Sequence, residues 1–403
     1  MVTVKPLVRR RDFIAERVFT HAEELAYLWQ RRRASVRSSE LTLRDFSYLM
    51  ERIEAHLQGM LVAGEALGEM FGGALAGDDR DEVFAAAWAL LRSGRPDNAR
   101  QVLEAFAAAG GAAIGGFADA LAMAPPTHTE PTLRAALAHG SPAHAAAAAL
   151  ALASQRRFEA ASPLPAPLLL QEGPEVAAMA WRAVLALDGT TAMPLPYAEA
   201  LARPDPGLRR AVLDVAIWRG EAWLPDALRR LAGEGDASAL GWLAALGKAE
   251  EQDEVLALCA TQPAPLRAAL AARLGRPQAL AAVLAWMADP DPVLAAAAGQ
   301  AWERITGLAV EGRRSSLPVA EDADPDDKDF PPEVWLPDLA KAERQWAEHG
   351  ERWRAGGRWC RGFDVERALS SEAQRWIDLE ARWDFGARAA LAGTPLFPPP
   401  PAV

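Results

Sequence analysis

The sequence predicts an all-α protein, a solenoid of stacked helix pairs, on three observations. Segments of small residues opened by Gly or Asp-Pro turns recur at a spacing of ~26–33 residues through most of the chain. Each repeat holds enough chain for two short helices and two turns. No segment alternates apolar and polar residues with period two for long enough to suggest a sheet. These observations divide the 403 residues into an N-terminal helical cap (1–75), about eight repeat units (76–312), an acidic, proline-rich linker (313–338) and a Trp-rich C-terminal helical segment (339–403).

The cap is Arg-rich and longer-helical than the repeats. Thr42 with Asp45 reads as a capped helix start, and Phe46, Leu49, Ile53, Leu57 and Leu61 form one apolar stripe. An end unit of a stacked array needs a polar outer face, which is the role this region is expected to fill. Repeat starts follow at Gly77, Gly110, Gly140, Gly173, Arg203, Gly235, Ala264 and Asp289. In the unit opened by Arg203, Leu208, Ala211, Val212, Val215 and Ala216 share one face of the first helix, as expected of a half-buried helix. The second helix, LPDALRRLAG, has Pro225 in its first turn and Gly233 as its expected stop.

The stretch DPDPVLAAAAGQAWERITG, Asp289 to Gly307, shows why the units must stack. Burying a Leu or Val stabilises by ~1.5–3 kcal/mol and an alanine by much less, so an alanine-rich pair cannot hold itself together. Alanine has the best helix propensity and lets neighbouring helices approach closely. Proline excludes the residue before it from a helix, and aspartate accepts hydrogen bonds from the free N–H groups of a helix start.

The linker carries eight acidic side chains and four prolines between Val319 and Asp338, a composition expected of a solvated loop. Its acids lack the turn glycine and terminal glutamate of a calcium loop. Six of the fourteen tryptophans follow from Trp335 onward: Trp335, Trp346, Trp353, Trp359, Trp376 and Trp383.

Composition restricts function. No apolar run approaches the ~18 residues of a membrane span, and the N-terminal stretch lacks the apolar core of an export signal, so a cytoplasmic protein is expected. A net charge of −11 disfavours nucleic-acid binding, and Arg31, Arg32, Arg33 and Arg37 are expected on a solvated helix surface. Cys259 and Cys360 have no metal-ligand or disulfide spacing, and Cys259, in an apolar run, is expected as a core residue. The six histidines show no ligand spacing, and GGAAIGGF lacks the strand and Lys-Ser/Thr of a phosphate loop. No catalytic, metal-ligating or cofactor-binding residue is expected.

The repeat units resemble HEAT-like repeats of the short kind also seen in relatives of phycobilin lyases. Three blocks, MERIEAHLQGMLVAG (Met50–Gly64), AGQAWERITG (Ala298–Gly307) and RWRAGGRWCRGFDVERAL with RWDFGARAALAGTPLF (Arg352–Phe397), are similar to an uncharacterised family of bacterial HEAT-repeat proteins whose genes tend to lie near type VI secretion components. That resemblance implies a scaffold or adaptor acting with secretion-apparatus or effector proteins, and it carries over no catalytic residue.

The candidate interaction residues are Trp353, Arg354, Arg358, Trp359, Arg361 and Trp383, because Trp and Arg dominate binding hot spots. Arg352, Arg354, Arg358 and Arg361 around Gly356 and Gly357 could form an anion-binding turn or a carboxylate-reading fork. In the competing reading Trp353 and Trp359 pack on the last repeats while the arginines pair with the acidic linker. The expected function is a non-enzymatic protein–protein scaffold. The alternative is a ligand-binding protein or enzyme with a Trp/Arg-lined pocket in the C-terminal segment.

Overall fold

The computed structural model describes residues 10–158, 164–187, 194–317, 331–366 and 369–401. It is an all-α helical-repeat fold with a few short strands, dividing into two compact units. The first comprises residues 1–36, 44–219 and 399–403; the second comprises 37–43 and 220–398.

In the first unit the N-terminal flank forms α1 (Arg10–Ser35), α2 (Leu43–Leu61) and α3 (Leu67–Phe71). The repeats follow as α4 (Arg80–Arg92), α5 (Pro96–Ala108), α6 (Ala113–Met123), α7 (Glu130–His139), α8 (Pro142–Ser154), α9 (Ala166–Leu169), α10 (Pro174–Ala186), α11 (Tyr197–Leu201) and α12 (Pro206–Trp218). The first helices of the pairs, α4, α6, α8, α10 and α12, pack in sequence order as one layer, and α1 lies against α4. The second helices cover this layer: α5 packs on α4, and α7, α9 and α11 pack chiefly on the first helix of the following pair, α8, α10 and α12.

The turn chemistry acts as the sequence predicts. Asp79 accepts from Asp81 N and Glu82 N at the start of α4, and Asp205 accepts from Leu208 N at 2.7 Å with Pro206 opening α12. Ser141 caps α8 in the same way. The interior of the layer is alanine: Ala145 to Ala149 of α8 are all buried. Glycines tighten it further. A Cβ on Gly116 of α6 would stand 2.3 Å from Arg80 O, so GGAAIGGF is a helix-crossing point where backbones meet.

Several expectations are corrected here. The layer helices are covered on more than one face: besides the predicted stripe of α12, Leu213, Asp214 and Ile217 are buried, and α12 packs against both α10 and α11. The stripe of α2 closes on Met60 rather than Leu61. The basic run is no solvated surface. Arg32 is buried with its guanidinium 4.5 Å from the Trp29 ring centroid, and burial pulls its pKa down to about 10, against the opposing pull of Asp119. Arg33 forks onto Asp81 at 2.6 and 2.7 Å. Only Arg31 of the three in α1 stays exposed.

The second unit continues the pattern with α13 (Leu224–Gly233), α14 (Ala237–Leu246), α15 (Gln252–Ala260), α16 (Ala264–Leu274), α17 (Pro277–Trp286) and α18 (Pro292–Thr306). Helices α14, α16 and α18 form its layer, capped by Asp236 on α14 and Asp291 on α18. The eight layer helices of the two units begin at, or within three residues of, the predicted repeat starts. α13 runs through Gly233, and its left-handed stop is Gly235 (φ 90°), not Gly233.

The eighth pair breaks the pattern. In place of a second helix, β1 (Glu311–Ser316) pairs antiparallel with β2 (Glu333–Pro337), so both ends of the predicted linker are strands. Its acidic middle lies outside the described residues. EVWLP pairs as a strand because β2 rests on α18, where Gly299 lets Pro337 approach to 3.1 Å of a virtual Cβ. The chain continues as α19 (Leu339–Ala355), β3 (Trp359–Cys360), β4 (Phe363–Asp364), α20 (Ala373–Trp376) and α21 (Leu379–Leu391). Trp302 of α18 meets Trp353 of α19 edge-on at 5.4 Å and donates Nε1–H to Gln345 at 2.8 Å.

Candidate functional site

A helix end leaves its last carbonyls without intrahelical partners, and it carries partial negative charge. The segment RWCRG, Arg358 to Gly362, answers this for three layer helices of the second unit. Arg358 donates Nη1–H to Ala244 O and to Leu274 O at 2.8 Å, and Nη2–H to Gly247 O at 3.1 Å, at the ends of α14 and α16. Trp359 N donates to Gly275 O at 2.7 Å, and Arg361 N and Gly362 N donate to Arg304 O and Ile305 O at 2.6 and 2.9 Å at the end of α18. To make that last turn Arg361 adopts φ 48°, a left-handed conformation rare outside glycine, and Gly362 follows at φ 79°.

Buried ion pairs add to the strap. Arg273 of α16 forks onto Asp384 of α21 at 2.9 and 2.6 Å, and Arg304 of α18 forks onto Asp378 at 2.9 and 3.1 Å while reaching Glu380 at 2.8 Å. Arg276 holds Glu366 at 2.6 and 3.1 Å. Burial works against the charge of Glu380, but Arg273 and Arg304 outweigh it and hold its carboxyl below the usual range. Among the described residues the Arg358 guanidinium donates to carbonyls and to no carboxylate; burial, then Arg388 and Arg276, depress its pKa strongly, and the carbonyls are what make its site tenable.

The six candidate residues therefore separate. Trp353, Arg358 and Trp359 are buried and join the C-terminal segment to the repeats. The competing expectation is corrected in part, since Arg358 bonds helix carbonyls rather than the acidic linker. Trp383 is half-buried against Phe397, with ring centroids 5.8 Å apart. Arg361 is half-buried and donates Nη2–H to Glu40 O at 2.6 Å. Arg354 is exposed, its guanidinium 5.3 Å from the Trp346 ring centroid. The predicted anion-binding turn is not free either. Gly356 N bonds Trp353 O and Gly357 N bonds Asp364 Oδ2 at 3.2 Å, and Gly356 is glycine because a Cβ would lie 2.3 Å from the Trp359 ring.

Two clefts of the second unit flank this strap. The first, of about 670 Å³, runs along α16 and α18 between Ser39–Glu40 and the C-terminal residues Arg361, Phe363 and Trp376. Its floor is small residues, among them Ala269, Ala272, Ala297 and Ala301, and Trp376 on its wall is 51% exposed. The second, of about 580 Å³, lies between α15, α17 and α19 and includes Trp346, Arg354 and the Gly356–Gly357 turn. Arg361 and Arg354 in these linings are among the candidates the sequence predicts, whereas nothing local in the sequence separates Trp376 from the other C-terminal tryptophans. No family model, curated protein or solved structure matches this chain.

Both cysteines are buried. Cys259 is buried in α15, and burial pushes its thiol up to about 12. Cys360 is buried against Asp378 at 3.4 Å, and burial and that carboxylate raise its pKa well above the ordinary value. Among the described residues, no cluster of three or more His, Cys, Asp or Glu could hold a metal ion, and no helix is long and apolar enough to cross a membrane. One contact was invisible in the sequence: His21 and His56, on α1 and α2, bring their Nδ1 atoms to 3.2 Å. His144 instead serves a turn, bonding Ser141 Oγ at 2.7 Å and Phe106 O at 2.9 Å.

Proposed function

We propose that this protein is a non-enzymatic scaffold or adaptor that holds a segment of a protein partner in the cleft along α16 and α18. The observation carrying the reading is a half-exposed Trp376 beside Phe363 and Arg361, above an alanine floor whose walls are fixed by the RWCRG strap. An aromatic anchor on a rigid wall, with small residues opposite, suits a partner side chain, because little conformational freedom is lost when it docks. The type VI secretion apparatus or its effectors enter as candidate partners through the resemblance of the three sequence blocks.

A small-ligand protein is the second reading, supported by the volume of the same cleft, which falls within the ~300–1,000 Å³ typical of ligand pockets. One experiment separates the two. Tagged protein is purified from its native cells with its bound material, beside a Trp376→Ala variant of equal stability. A protein partner recovered with the native chain and lost in the variant supports the scaffold. Recovery of a small molecule alone transfers the assignment to the ligand-binding reading, and a partner retained by Trp376→Ala rules out this cleft.

A further inference from the structure

The second cleft holds three polar side chains whose hydrogen-bonding ends are unused among the described residues: Arg354, Gln252 and Gln278. The lining also includes the small or apolar residues Ala249, Pro277 and Ala281 and the Trp346 ring. The lining carries Arg276 and Arg354 against Glu366, and since Arg276 and Glu366 neutralise each other, the net charge is that of Arg354. The Arg354 guanidinium is already held over Trp346 at 5.3 Å, so its planar fork is partly ordered before any ligand arrives.

Resting on the scaffold reading, we infer that this second cleft captures the free carboxy terminus of a peptide partner ending in an apolar residue. Arg354 forks onto the terminal carboxylate, as guanidinium groups do. Gln252 and Gln278 offer a donor and an acceptor to the last peptide group, and the small floor takes the last side chain. A terminal residue presents carboxylate, amide and side chain together, whereas an acidic side chain sets its carboxylate at a distance from the main chain. In a chain of net charge −11, Arg354 supplies this cleft with the local positive charge that a carboxylate needs.

The test is calorimetric titration of the full chain with an acetylated tetrapeptide ending in leucine, as the free acid and as the C-terminal amide. A third probe is an amidated peptide bearing glutamate. The free acid is expected to bind at least tenfold more tightly than either amide, with that preference abolished in Arg354→Gln. Because Arg354 is exposed, the variant should fold unchanged, and circular dichroism verifies that before titration. Equal affinity of acid and amide, an acid preference that survives Arg354→Gln, tighter binding of the glutamate peptide, or no binding of any probe would each overturn the inference. Trp376→Ala should leave this titration unchanged. A native partner lost in Trp376→Ala but retained in Arg354→Gln would leave the scaffold reading standing and sink this one.

Discussion

The layer of the first unit and the strap of the second hold helices together by opposite means. In the first, Ala145 to Ala149 and Gly116 let backbones close to short range, and shape does the work. In the second, Arg273, Arg304 and Arg358 are drawn into the interior to meet carboxylates and helix carbonyls, and charge does it. Small residues make tolerant, weakly directional contacts; buried guanidinium groups make directional contacts that are costly to leave half-made. The first unit stacks chiefly by the first kind, with Arg80 of α4 meeting the buried Asp119 of α6 at 2.8 Å as a directional addition, whereas the docked segment of the second unit relies on such contacts at three helix ends.

The comparison is broken most severely by stranding a charge. Arg304→Met leaves Asp378, which is fully buried, without its fork, and should cost ~3–5 kcal/mol by the scale of uncompensated buried charges, read as a lowered denaturation midpoint. Adding Asp378→Asn should recover part of that loss; no recovery would mean that Arg304 acts by packing. Val215→Asp tests the shape-held layer on the same ~3–5 kcal/mol scale, since Val215 is 1% exposed among apolar neighbours. A variant of undiminished stability would refute the buried face assigned to α12.

Smaller effects sharpen the contrast. Ala147→Leu should overpack α8 by ~1–3 kcal/mol, a penalty absent for leucine at exposed Ala257 in α15. Acid should loosen the strap before the layer. The Glu380 carboxyl has a folded pKa below its unfolded value, so its contribution is present above the unfolded value and is lost as pH falls through the folded one. Hydrogen exchange measured on stepping down through the carboxylate range should open α21 before α8. The smallest effect is at His56, whose pKa is lowered by burial and then by His21. Its contribution is complete above the unfolded histidine range and falls away below it, so His56→Gln should flatten the stability profile between about pH 7 and 5.

What the sequence revealed follows from range. Asp79, Asp205, Asp236 and Asp291 act on N–H groups two or three residues away, and the repeat starts were legible through them. Alanine enrichment likewise announces close stacking wherever it occurs. The strap could not be read this way. Arg273 and Asp384 are 111 residues apart, and an arginine carries no local mark of being buried. Trp376, Arg361 and the α16–α18 alanines become one cleft only after that docking, as His21 and His56 become neighbours only when two helices cross. The β1–β2 hairpin escaped for a related reason: its strands are short, and β2 gains its place by lying on α18.

Arg358 to Gly362 also impose an order in time. Their hydrogen-bond partners at Ala244, Gly247, Leu274, Gly275 and Ile305 emerge from the ribosome well before them, the longest wait being the 114 residues between Ala244 and Arg358. Until the strap arrives, three helices of the second unit end in carbonyls that lack the donors of Arg358 to Gly362. Synthesis therefore supplies the stack before the lock, and a nascent chain halted before Arg358 lacks the donors that close it.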